Sequence, residues 1–310
     1  MRSILLRVAL VLVLGSTLGC SEVRGRRLIQ KANQAYRDGQ YKDAVALFEQ
    51  AERFVPNFGL LWLNKGYTCR EMLIPGAKTP ENAAAARCAL TAFKRFSALR
   101  PEDKRGAALY VQTLFDADEY ETLAKMYEAR VQKNAADEEA LNGLIQVYSK
   151  WPEHTEQALA WYEKKAQVKS NDAEAQYAVG VFIWQQLFSK GGGADKSAFD
   201  PRADPDDKKK QKTPPGNVPG DITGKERIEL ADRGLRFLEK AVELRPKYQE
   251  AMTYLNLLYR QKSFAYFDNP DEWQKCIDKA IEWQKRGLAL SPVKTEAPEA
   301  NAAPAPAKAE

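Results

Sequence analysis

Histidine is almost missing from this chain: His154 is the only one among 310 residues. One imidazole cannot supply a zinc site that needs several nitrogen or thiolate ligands, and any serine–histidine–aspartate arrangement would have to recruit it. It stands beside Pro152 and Glu153, where the spacing predicts a turn and a solvent-exposed ring. Cysteine is scarce as well, four residues without the close pairs of a structural zinc site. No Gly-x-Ser-x-Gly elbow is present. Gly191-Gly192-Gly193 is not followed by the Lys-Ser/Thr of a phosphate loop. Carboxylates are plentiful, but nothing in their order selects a pair for glycoside cleavage. The sequence therefore reads as a protein that is not an enzyme, with no catalytic residue, no metal ligand set and no cofactor.

A surplus of one charge is also lacking. Lys and Arg number 47, Asp and Glu 42, and the formal net charge is +5. Such a mixed surface argues against nucleic acid as a partner. After the first twenty residues no apolar run is long enough to cross a bilayer. An apolar content of 44% still supports a packed core.

The beginning of the chain is different. Arg2 and Arg7 precede and flank an apolar stretch from Val8 to Leu14, followed by Gly15-Ser16-Thr17-Leu18-Gly19-Cys20. The apolar run is too short for a mature membrane helix. The segment resembles a bacterial lipoprotein signal, with Thr17 where Leu is usual. The resemblance implies a signal peptide over residues 1–19, lipidation of Cys20 and a chain held to a membrane by acyl chains. An ordinary secretory signal with an incidental Cys20 is the alternative. Removing Arg2 and Arg7 would take the formal charge from +5 to +3. Ser21 stands where an inner-membrane retention signal often places Asp, which implies an outer-membrane location facing the periplasm.

Beyond a short tether at 20–24, one pattern organises the sequence. It first reads Ala32, Tyr36, Gly39, Tyr41, Ala44, Phe48, Ala51 and Pro56. This resembles the tetratricopeptide repeat, a helix-turn-helix unit of about 34 residues. Small residues stand where the two helices approach, a glycine where the chain turns, and proline where the second helix stops. The pattern returns with Trp62, Gly66, Ala89 and Phe93; with Leu114, Tyr120, Leu123 and Tyr127; and with Leu141, Leu144, Tyr148, Ala158 and Tyr162. A fifth copy joins Val179-Gly180 to Gly234, Leu238 and Ala241, and a sixth runs from Leu255 to Gly287. The expected fold is all-α: an α-solenoid of about six such units over residues 25–292. A Gly-, Pro-, Asp- and Lys-rich insertion at 190–224, including Lys208-Lys209-Lys210, and an Ala/Pro-rich tail at 293–310 read as disordered. Shorter insertions run from Leu73 to Asn82 and from Phe264 to Asp271.

In the repeat family the first helix of each unit lines a groove that holds partner segments. Carried over, this implies a partner-binding row of Asn33, Tyr36, Asn64, Tyr67, Gln112, Phe115, Asn142, Gln146, Tyr177, Trp184 and Tyr254. Amides suit a peptide backbone and rings suit its side chains; any of the rings could equally be buried against the next unit. Asn33, Asn64 and Arg105 match part of the set with which some relatives grip a terminal carboxylate. Ile29 and Leu109 replace two of its cations, so that capture is not expected. Cys69 and Cys88 are candidates for a disulfide, or for two separate small core residues. The function these features imply is a membrane-anchored interaction scaffold of the bacterial cell envelope, with envelope proteins or peptides as partners. The alternative is a glycan- or small-ligand-binding envelope lipoprotein using Trp184 and the tyrosines. The sequence does not address oligomeric state.

Overall fold

The computed structural model describes residues 21–189, 201–202, 222 and 224–290. Expectations for the signal segment, Cys20, the glycine and lysine runs of the long insertion and the C-terminal tail lie outside the described residues. Twelve α-helices and no strand occur among the described residues. They are α1 (21–37), α2 (Tyr41–Glu52), α3 (Gly59–Glu71), α4 (Pro80–Leu99), α5 (Arg105–Asp116) and α6 (Tyr120–Lys133). α7 (Glu138–Lys150), α8 (Thr155–Val168), α9 (Ala173–Ser189), α10 (Gly224–Leu244), α11 (Gln249–Ser263) and α12 (Pro270–Leu288) follow. In the register read from the repeat, α3 packs on α4, α5 on α6, α9 on α10 and α11 on α12.

The first hairpin shows why. Ala32, Ala44, Phe48 and Ala51 are fully buried in one cluster with Ile29 and Leu61. Gly39 closes α1 at φ 73°, its N–H donating to the Tyr36 carbonyl (3.1 Å) while Gln40 N–H reaches the Ala35 carbonyl (2.8 Å). That pair of bonds is a Schellman end, which needs the left-handed backbone that glycine adopts without strain. In the third hairpin Asp118 takes the same place at φ 56°, with the same two bonds, from Asp118 to Phe115 and from Glu119 to Leu114. The glycine marker is missing there, so the third copy of the pattern is faint in sequence while its turn is the same.

The chain divides into two compact units, residues 1–158 and 159–310. In the first, α2 to α5 pack one upon the next, and α5 on α6 and α6 on α7. Gly66 of α3 is buried beneath Phe93 of α4, and a Cβ there would overlap the ring. In the second, α9 packs on α10, α10 on α11 and α11 on α12, and α9 also reaches α11. Val179, Ile183, Leu187, Leu238, Leu255 and Leu258 form its core, with Gly180 accommodating Leu238. Within each unit this is the ordered stacking expected of an α-solenoid.

Three local readings change. Residues 21–24, expected as tether, already belong to α1, where Arg24 stacks on Phe54. The shorter insertions end in helix starts, while Pro75 stays in a turn. Pro80 and Pro270 are the first residues of α4 and α12, behind Thr79 and Asn269, whose side chains accept from Asn82 N–H (3.1 Å) and Glu272 N–H (3.3 Å). Proline fits a helix start because its missing N–H has no helical partner there. The described points of the long insertion are packed. Pro201 and Ile222 are buried, Arg202 lies 4.7 Å above the Trp273 ring, and buried Arg227 donates to the Ile222 carbonyl (2.7 Å) and to Gln261 (2.9 Å).

Candidate functional site

Asn33 and Tyr36 are three residues apart on α1, as are Asn64 and Tyr67 on α3, so each pair shares a helix face. The structure brings all four together around a cavity of about 260 Å³, completed by Arg37 and Thr68. Asn64 Nδ2 donates to Asn33 Oδ1 at 3.0 Å. The Tyr36 hydroxyl donates to Glu71 (3.4 Å), and burial, then Glu71, pushes its phenol above the ordinary range. Thr68 returns its hydroxyl to the Asn64 carbonyl (2.8 Å) and stays in the wall. The result is a polar hollow lined by two amides, two aromatic rings, a threonine and one arginine.

Arg105 is engaged within its own turn. Its guanidinium and backbone N–H engage Asp103, with a closest distance of 2.6 Å. Ile29 is part of the core and Leu109 packs against the second hairpin's cluster.

Further along the first unit the expected row does not converge. Gln112, Asn142 and Gln146 are exposed on α5 and α7. Phe115 instead starts an aromatic run. It meets Tyr120 edge-on at 6.4 Å, Tyr120 lies 6.0 Å from Trp151, and Trp151 stacks on His154 at 4.0 Å. Lys150 Nζ lies 5.5 Å from the Phe115 ring centre. Tyr148 joins this run at 5.7 Å from Trp151 and donates to Glu128 (2.9 Å). His154, expected as an exposed ring, is half-buried in this stack, with Nδ1 2.7 Å from the Pro152 carbonyl oxygen. Trp151 supplies an apolar plate that the turn reading could not foresee.

In the second unit Tyr177 and Trp184 of α9 meet Tyr254 of α11, ring centres 5.6 and 5.2 Å apart, both edge to face. Phe188 stacks on Trp184 at 5.1 Å and is itself largely exposed. Trp184 Nε1 is buried with no hydrogen-bond partner among the described residues. Burial, then Tyr254 and Glu250, pushes the Tyr177 phenol up to about 12. At the edge of the cluster Glu174 accepts from the Tyr248 hydroxyl (2.5 Å) and from Arg245 (2.8 Å). Those two donors, Tyr248 first, hold its carboxyl below the usual range.

Two features lay outside the groove expectation. Cys69 of α3 and Cys88 of α4 are joined, Cα atoms 5.8 Å apart, beside the loop that Asn82 ties together through Ile74 and Ala77. A larger cavity of about 710 Å³ opens where α4 to α7 meet, with Tyr110, Val111, Met126 and Tyr127 in its walls and Lys94 and Lys104 at its rim. Its one sequence signal is the run Gly106-Ala107-Ala108: two small side chains left exposed on α5 leave the space unfilled. Among the described residues no group of three or more His, Cys, Asp or Glu stands close enough to hold a metal ion.

No family model and no curated protein matches this chain. Solved structures similar to it include YrrB, described as a TPR protein with an unusual peptide-binding site, at 14% identity and TM-score 0.34, covering 78% of this chain and 96% of YrrB. MamA from Desulfovibrio magneticus RS-1 is 14% identical with TM-score 0.26, over 84% of this chain and 96% of its own. Another MamA structure is 12% identical with TM-score 0.25, over 86% and 91%. These superpositions are partial, and the hairpin assignment stands on the helix pairing and turn geometry of the chain itself.

Proposed function

We propose that this protein is a membrane-anchored interaction scaffold of the bacterial cell envelope, tethered through Cys20 and holding extended partner segments on the faces of its odd-numbered helices. It carries out no catalytic step of its own. The observation that supports this reading most is the hollow between α1 and α3. There the Asn33–Asn64 pair and the Tyr36 and Tyr67 rings offer one peptide-sized set of amide and aromatic contacts. The outer membrane facing the periplasm is the proposed location, on the resemblance of the leader and on Ser21.

Photo-crosslinkers at Tyr67 and Tyr36 in the native organism test the docking role. A scaffold gives discrete crosslinked bands that a crosslinker at the exposed Lys125 of α6 does not give. Identical patterns from all three positions would sink it. Membrane fractionation of Cys20→Ala tests the tether: the variant should be released or left unprocessed, and unchanged retention with normal processing would remove the anchor.

A second reading, a small-ligand protein, draws on the 710 Å³ cavity, whose size and apolar walls match ligand pockets. Sugar stacking on Trp184 is not favoured, because Phe188 already covers one face of that ring.

A further inference from the structure

The first hairpin carries a concentration of positive charge that its own folding does not use. Arg24, Arg27 and Lys31 follow one another at helical spacing along α1, and Arg53 joins them from the end of α2. Together they line a surface cavity of about 380 Å³ floored by Leu28 and Phe54, with the Arg24 guanidinium 4.7 Å above the Phe54 ring.

None of the four cations has a carboxylate partner among the described residues. The acids nearest in sequence are engaged elsewhere. Glu22 pairs with Arg26 at 2.8 Å, while Glu52 and Glu49 turn to Lys65 at 2.5 and 3.8 Å. Arg53 suits the C-terminal end of α2, where the helix dipole is negative. Arg24 and Arg27 lie on α1 away from its C-terminal end at Arg37, so that dipole does not serve them. Internal pairing therefore fails to account for them.

The position of the cluster suggests what does. Ser21, the residue after Cys20, is already helical, and Arg24 is four residues from the proposed lipidated residue. A rise of about 1.5 Å per residue keeps the whole stripe within roughly 20 Å of the tether, and its near end within a Debye length of a membrane surface. We propose that this face is a phosphate-headgroup site, seating the first hairpin on anionic phospholipid of the membrane that holds the anchor. The inference rests on the anchored reading given above. Arginine forks match phosphate oxygens two at a time, and a partly apolar floor suits the glycerol and upper acyl region beneath a headgroup.

The test uses the full chain in dodecylmaltoside micelles doped with either phosphatidylglycerol or phosphatidylcholine, read by amide hydrogen exchange. Phosphatidylglycerol, and not phosphatidylcholine, should slow exchange over residues 21–58 severalfold, and high salt should reverse it. Arg24→Glu/Arg27→Glu should abolish the protection, and the milder Arg24→Gln/Arg27→Gln should weaken it with the melting temperature unchanged. Equal protection by the two lipids, or none, overturns the proposal. Equal protection by inorganic phosphate in lipid-free micelles overturns the membrane headgroup in favour of a free anion. Failure of the anchor is read separately: release of Cys20→Ala from membranes supports the tether whatever the exchange shows, and unchanged retention with normal processing sinks the anchor while lipid-specific protection still supports the headgroup site.

Discussion

Asn64 of α3 donates its side-chain amide to the side-chain carbonyl of Asn33 on α1, 3.0 Å away, so two successive odd-numbered helices are joined at the floor of one hollow. Each amide has two kinds of hydrogen-bonding group, and this bond uses one from each. The Asn33 amide nitrogen and the Asn64 carbonyl oxygen remain to meet a backbone that has one donor and one acceptor per residue.

If a partner segment sits there, Asn33→Ala/Asn64→Ala should weaken its binding by about 1–3 kcal/mol, the worth of one or two hydrogen bonds. Calorimetry with the crosslinked partner's segment measures this. Unchanged affinity with an unchanged melting temperature would move the docking site elsewhere.

The left-handed turn residues give a stability test. Glu153 is held at φ 65° with its side chain exposed, and a non-glycine residue there costs roughly 1–2 kcal/mol. Glu153→Gly should raise stability by up to about 1 kcal/mol, since glycine's greater freedom in the unfolded chain offsets part of the gain. Gly39→Ala, at φ 73°, should lower it by about 1–2 kcal/mol. Urea melts of both variants decide, and a destabilised Glu153→Gly would contradict the turn geometry.

The link between Cys69 and Cys88 closes a loop with a sequence separation of 19. Constraining such a loop contributes roughly 2–4 kcal/mol. Cys69→Ser/Cys88→Ser should lose about that much, and reductant should destabilise the parent chain but not the variant. Equal sensitivity of the two to reductant would show that the thiols are not bridged in solution.

Cys276 gives a pH dependence. Burial first, then Glu272 and Asp232, pushes its thiol up to about 11, with Lys262 opposing. An unfolded cysteine ionises near 8.5. The folded state therefore keeps its proton where the unfolded state loses it. The associated stability is whole below about pH 8.5 and falls as pH rises towards 11. Cys276→Ala should flatten that part of the alkaline stability profile; an identical slope in the two proteins would assign it to other groups. Native Cys276 should also resist alkylation at pH 8.

Much of this protein could be read before any coordinates. The spacing of Ala32, Ala44, Phe48 and Ala51 prescribes a hairpin, because only small residues let two helices approach and only a periodic apolar face gives them a reason to. Order and pairing of helices are local consequences of that spacing, which is why the third hairpin is legible even where Asp118 stands in for glycine. The hollow between α1 and α3 was legible for the same reason, since identical positions in consecutive units come together. Convergence across several units was not. Whether Phe115 faces a partner or runs into Trp151, whether Trp184 is open or covered by Phe188, and whether Glu52 neutralises Arg53 or Lys65 all depend on which of several neighbours within reach a side chain meets. Sequence determines which residues a helix turns toward its neighbour. Tertiary packing decides which contacts those residues make, because burial is decided by whatever else occupies the same space.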